Sequence, residues 1–157
     1  MPNTPAFLGE GISLLLHSEK VSKEERDFVS TFFQACGKTF TLEDEEIFDK
    51  VTTVSGSGPA YVYLFAKTMR DKLTSWGLDE KTAREIVVQL FIGSSHLMDD
   101  ASDETLDELI AKVTSKGGVT IEAVRSYQQD DLGELTSKAL DSAYARSNEI
   151  VKEIAGN

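Results

Sequence analysis

From residue 55 onward the apolar residues recur at helical spacing, and they cover a wider arc of each helix than so short a chain can bury by itself. Tyr61, Phe65, Met69 and Leu73 follow one another at i+4, with Leu64 alongside and Gly77 as a stop, which predicts one long amphipathic helix. Asp79 is placed to cap the next, whose face carries Ala83, Ile86, Val87, Leu90, Leu97 and Met98. A shorter helix is expected to open at Ser102 and run through Leu106, Leu109, Ile110 and Val113. A final one is expected near Asp131, with Glu134 at its third position, running through Leu135, Leu140, Ala143, Tyr144, Ile150, Val151 and Ile154. Stripes broader than roughly 100° on several helices suggest burial on more than one side. Exchange of helices with a second copy would meet that demand. A monomeric bundle that leaves some apolar surface in water is the alternative.

Residues 1–54 follow a different pattern. Gly11–His17 is a short apolar run, and Lys38–Leu42 alternates with β-favouring Thr and Phe, so both predict strands. Between them Ser22-Lys-Glu-Glu25 is a capping box, opening a helix that bears Phe28, Val29, Phe32 and Phe33 and ends near Gly37. Such a strand–helix–strand unit cannot cover both its faces alone. The fold class expected is mainly α: a helical domain over 55–157, preceded over 1–54 by a short βαβ unit like the tail of a larger α/β layer.

Charge and composition narrow the partners. The 157 residues hold 16 Lys+Arg against 27 Asp+Glu, a formal charge of −11. Nucleic acid or an anionic membrane would need clustered cations, so neither is expected as a partner. A local dipolar pocket could still hold a small anion. The single cysteine, Cys36, excludes an internal disulfide or a multi-thiolate metal site and fits a reducing compartment. It follows an aromatic stripe and is expected to be buried and inert. With only His17 and His96 as histidines, no metal centre is expected. The apolar runs fall far short of the roughly 20 residues that span a bilayer. Met-Pro-Asn-Thr-Pro at the start has neither a basic nor an apolar leader region. A soluble cytoplasmic protein is expected.

Two segments that join glycine to hydroxyl residues each precede an expected helix. In Ser55-Gly56-Ser57-Gly58-Pro59-Ala60-Tyr61, Pro59 suits a first turn, where its missing N–H costs nothing. Ser57 is placed to cap, and the glycines permit a sharp turn with exposed amides. Thr114-Ser115-Lys116-Gly117-Gly118-Val119-Thr120 precedes Ile121, Ala123 and Val124. Unpaired amides and the positive end of a helix dipole make either segment a candidate cradle for an anion, a carboxylate above all. The hydroxyls of Ser115 and Thr120 would add donors. Residues of these types at helix starts also serve simply as caps and turns. Neither segment is a dinucleotide fingerprint: Tyr61 stands where a third glycine belongs, no clear strand precedes it, and Gly9-Glu-Gly11 lacks a third glycine as well. No Ser–His–Asp or Cys–His arrangement offers a nucleophile, so no residue is assigned a catalytic role.

Taken in order, Met1-Pro2-Asn3-Thr4-Pro5 with Gly9-x-Gly11, then Ser55 to Tyr61, then Val113 to Thr120, the chain resembles pyrroline-5-carboxylate reductase. The resemblance covers essentially the whole chain. It implies the C-terminal part of such an enzyme: the last βα elements of a Rossmann cofactor domain over 1–54, then a helical dimerisation and substrate-binding domain over 55–157, like the C-terminal domain of 6-phosphogluconate dehydrogenase. It implies reduction of 1-pyrroline-5-carboxylate to L-proline, the last step of proline biosynthesis, with NADP or NAD as cofactor. A homodimer or higher homo-oligomer is implied, with substrate between protomers. The cofactor would be bound by an N-terminal domain most of which these residues lack, so the isolated chain is expected to be inactive.

The same resemblance assigns residues. Ser115, Gly117, Gly118 and Val119 would offer backbone or hydroxyl donors to the substrate carboxylate, Thr120 a hydroxyl near the ring nitrogen, and Asp103 a charge suited to an iminium. Pro2 and Asn3 would lie on the cofactor side, and Ser55, Gly56, Ser57, Gly58 and Pro59 would shape the pocket. Lys116 stands where many relatives have proline, which adds a cation beside the anion site. Lys112 stands where some relatives have an amide residue that contacts the cofactor. A stand-alone dimerisation or interaction module, and a β-hydroxyacid dehydrogenase relative with another substrate, are the other readings.

Overall fold

Ser22 and Glu25 close a reciprocal capping box at the start of α1 (Lys23–Gln34) in the computed structural model, which describes residues 1–156. The helix connects β1 (Gly11–Leu16) to β2 (Gly37–Leu42), and the strands pair in parallel from Gly11 with Gly37 to Leu16 with Leu42. A parallel pair needs such a crossover, because a tight turn cannot reverse the chain twice. The other edge of β1 is also paired. Leu14 N–H donates to the Met1 carbonyl at 2.9 Å, and Pro2 bridges Ser13 in antiparallel sense. Flanked on both edges, β1 buries Ser13, Leu14 and Leu15. A 3-10 helix, Thr4–Leu8, precedes it, and Cys36 beside β2 is partly exposed where burial was expected.

α2 (Glu45–Ser55) has no counterpart in the sequence expectation. Asp44 Oδ1 accepts from the Ile47 N–H at 2.8 Å, and Glu45 and Glu46 fill the first turn. The run Val51-Thr-Thr-Val54 favours strand, yet here its threonines turn inward on the helix. Thr52 Oγ1 donates to the Phe48 carbonyl and Thr53 Oγ1 to the Lys50 carbonyl, at 2.8 and 2.7 Å.

The remaining helices are α3 (Gly58–Ser75), α4 (Glu80–Asp100), α5 (Leu106–Val113), α6 (Val119–Gln129) and α7 (Leu132–Ala155). Pro59 lies in the first turn of α3, and Asp79 caps α4 through the Thr82 N–H, both as the spacing predicts. α5 starts at Leu106 and not at Ser102. Thr105 has Glu108 three residues on to return its hydrogen bond, whereas Ser102 has only Thr105. α7 follows Asp131, whose φ of 55° is a left-handed conformation that short polar side chains tolerate.

The contacts group residues 1–62 with 137–157 in one compact unit and 63–136 in another. Position 54/55, where the strand-bearing part of the sequence ends, is not where these units divide. In the second unit Phe65 meets Phe91 edge-on at 6.4 Å and Tyr127 at 6.0 Å, tying α3 to α4 and α6. Ala83 and Val87 are buried there, whereas Trp76 and Leu97 stay 71% and 68% exposed. Among the described residues no helix is long and apolar enough to cross a membrane.

Candidate functional site

Between α5 and α6 the chain makes a tight descent through Thr114–Thr120. Thr114 closes α5: its N–H goes to the Ala111 carbonyl at 3.2 Å and its hydroxyl to the Ile110 carbonyl at 2.9 Å. The Ser115 carbonyl then accepts the Gly118 N–H at 2.9 Å, and Gly117 adopts φ 76°, the left-handed region in which glycine is unstrained. Gly118 is the N-cap of α6, extended at φ −81° and ψ 169°, and gives the helix no side-chain cap. A Cβ at this position would collide with the Ser115 hydroxyl and stand 3.1 Å from the Ser115 carbonyl. Glycine here is what lets Ser115 lie against the start of the helix.

The expected outward row of amides is therefore incomplete. The Thr114 and Gly118 N–H groups are used within the chain, so neither is open as a donor. What faces water is the beginning of α6 itself, with Val119 91% exposed and Ser115, Lys116 and Thr120 exposed around it. The dipole of an 11-residue helix and its uncapped first amides favour an anion there.

Two other expected residues sit apart from this loop. Lys112, in the last turn of α5, pairs with Glu104 before α5. Asp103 is exposed in the turn that leads to Thr105. In one copy, Asp103 and Ser115 flank opposite ends of the eight-residue α5, a length of about 12 Å.

Residues 55–59 depart further from expectation. Ser55 ends α2 and Gly58 begins α3, so only Gly56 and Ser57 lie between two helices. Gly56 keeps right-handed helical geometry at φ −77°, and its N–H reaches the Thr52 carbonyl at 2.8 Å. A glycine loop of free amides is thus replaced by a helix–helix break. Ser57 holds α3 through its carbonyl, which accepts the Ala60 N–H at 3.0 Å. Ser55 is only 6% exposed, and its hydroxyl has no hydrogen-bond partner.

Asn3 reaches this break from the other end of the sequence. Its Nδ2 donates to the Ser55 carbonyl and its Oδ1 accepts the Ile12 N–H, both at 2.9 Å. Tyr61 Oη donates to the Thr53 carbonyl at 3.1 Å. Helical spacing marks Tyr61 only as an apolar position, and the reach of its hydroxyl across the break leaves no mark in the sequence.

Residues 45–150 match the family model for pyrroline-5-carboxylate reductase dimerisation. The pyrroline-5-carboxylate reductase of Vibrio alginolyticus is 35% identical over 152 residues, 97% of this chain and 56% of that protein. The one from Pseudomonas aeruginosa is 36% identical over 154 residues, 98% of this chain and 56% of its own length. Among solved structures, a pyrroline-5-carboxylate reductase from Coxiella burnetii superposes with a TM-score of 0.89 at 31% identity, over 95% of this chain and 55% of that one. Plasmodium falciparum pyrroline carboxylate reductase with NADP bound gives 0.85 at 31% identity, over 94% and 59%. The chain spans about half the length of the curated relatives it matches.

Proposed function

The chain belongs to the pyrroline-5-carboxylate reductase dimerisation family, and from that premise we propose that it serves the reduction of 1-pyrroline-5-carboxylate to L-proline, gripping the ring's carboxylate at the start of α6. The observation that carries this reading is the glycine N-cap of α6 with Ser115 folded against it. A carboxylate there would accept from the Val119 and Thr120 N–H groups and from the Ser115 and Thr120 hydroxyls, and charge-assisted bonds of this kind are the strong ones. Lys116 adds a cation beside it. Asp103, a helix length away in the same copy, is assigned a lesser part, as a charge suited to the iminium form of the ring.

In the reaction a nicotinamide dinucleotide, NADPH or NADH, supplies hydride to the C=N carbon. The residues of this chain do not fit that cofactor. In a βα unit the pyrophosphate sits at the helix N-terminus after a strand. Both such places here are taken by carboxylates, Glu25 with Glu24 at α1 and Asp44 with Glu45 and Glu46 at α2. A phosphate would meet like charge there. We therefore assign the dinucleotide to the part of the family's length that this chain does not span. By itself the chain is expected to bind proline without turnover.

Under this reading residues 1–54 are cofactor-domain elements and 55–157 the helical dimerisation and substrate-binding domain. The exposed apolar faces of α3 and α4 are covered by another copy in a homodimer or larger assembly. A reduced lone thiol suits the cytoplasm. Titration of L-proline by calorimetry tests the site: Thr120→Ala should weaken binding about tenfold, the worth of one hydrogen bond to a charged group. Asp103→Asn should cost less, and an unchanged affinity in Thr120→Ala would count against the site.

A further inference from the structure

We infer that Asn3 is a positioning residue, which sets the break between α2 and α3, and with it the Ser55–Pro59 segment, without itself touching a ligand. The inference rests on the proposed function together with the family resemblance, which implies that this segment shapes the substrate pocket. It gives Asn3, which the resemblance implies lies on the cofactor side, the part of a support.

Three relationships carry it. Asn3 is anchored to β1 twice, through its own N–H to the Ile12 carbonyl at 3.2 Å and through Oδ1 to the Ile12 N–H at 2.9 Å. That pairing fixes the plane of the side-chain amide and aims Nδ2 at the Ser55 carbonyl, 52 residues along the chain. Ser55 is in the last turn of α2, where the helix's own donors have run out, so a carbonyl there needs a partner from elsewhere. Tyr61 gives the same service to Thr53 from the α3 side. The break is thus held by one side chain from each direction, and the Ser55 side chain beside it is buried.

Only asparagine supplies an acceptor for Ile12 and a donor for Ser55 at this length. Asn3→Asp separates the two functions, since a carboxylate still accepts from Ile12 but has no proton for Ser55. Amide hydrogen exchange at neutral pH reads the result. In Asn3→Asp the Gly56 and Ala60 amides, which hold the two sides of the break, should exchange roughly tenfold faster, as expected for loss of one hydrogen bond. The Ile12 amide should keep its rate. Wild-type rates at Gly56 and Ala60 would overturn the inference, and so would an equal acceleration throughout β1 and α1, which marks a merely structural role. Should the variant fail to fold, the unsubstituted chain decides: one Asn3 Nδ2 proton must exchange slowly, and a free-amide rate for both overturns it. Proline affinity of the unsubstituted chain tests the functional reading separately, so a failure of either is recognised without the other.

Discussion

Thr105 and Glu108 hold the first turn of α5 from both sides. The Glu108 N–H donates to Thr105 Oγ1 at 3.2 Å, while the Thr105 N–H and hydroxyl donate to Glu108 Oε2 at 2.8 and 2.9 Å. Ser22 and Glu25 repeat the arrangement at α1.

Both capping carboxyls should therefore titrate low. Backbone N–H bonds from Thr105 and Ser22, followed by the bonds of their hydroxyls, hold Glu108 and Glu25 below the ordinary 4.5. A carboxyl whose folded pKa is depressed gives stability that is fully present above its unfolded value and lost as the pH falls through the folded one. The first turns of α1 and α5 should then loosen on acidification below 4.5 and not on alkalinisation. Carbon-13 titration of the two side-chain carboxyls should give midpoints below 4.5; midpoints above it would contradict the boxes.

Gly118→Ala probes the floor of the proposed site. The backbone at φ −81° and ψ 169° accepts alanine, so thermal stability should fall by no more than about 1 kcal/mol. The new methyl, however, must displace the Ser115 hydroxyl. Proline affinity should drop steeply while the unfolding midpoint falls by only about 2–4 °C. Unaltered affinity would show that Ser115 has no part in binding.

Local signals made the βαβ unit and most helix starts legible, because capping boxes, Asp79 and Pro59 act within a few residues. Ser102 misled because a hydroxyl marks a possible cap, while the returning carboxylate three residues on decides which cap is used. α2 was hidden by Val51-Thr-Thr-Val54, β-branched residues whose threonine back-bonds in the helix are invisible to pattern. The segment at 55–59 shows a different limit. Its composition signals an open glycine turn, yet the Gly56 amide and the Ser55 carbonyl find partners in Thr52 and Asn3, and the latter contact is 52 residues long-range. For the segment at 114–120, the hydroxyls and glycines were legible in type and order. Which amides stay open was set by the Ser115–Gly118 turn.

The wide apolar stripes make a prediction about assembly. Leu14, Leu15, Ala83 and Val87 are the buried apolar residues of the described chain, whereas Leu64 on α3, Trp76 just past its end and Leu97 on α4 lie open. A second copy that covered such area would stabilise the assembly by about 25 cal/mol per Å² removed from water. Sedimentation equilibrium at micromolar concentration should return about twice the chain mass of 17.3 kDa, or a larger multiple. A well-behaved single-chain mass would contradict the shared core.

The most direct trial of the carboxylate grip at α6 compares L-proline with pyrrolidine, the same ring without its acid group, by calorimetry on the unsubstituted chain. Proline should bind and pyrrolidine should not. Equal binding of the two, or heat from neither, would contradict the assignment of Ser115–Thr120 as the place where the substrate is held.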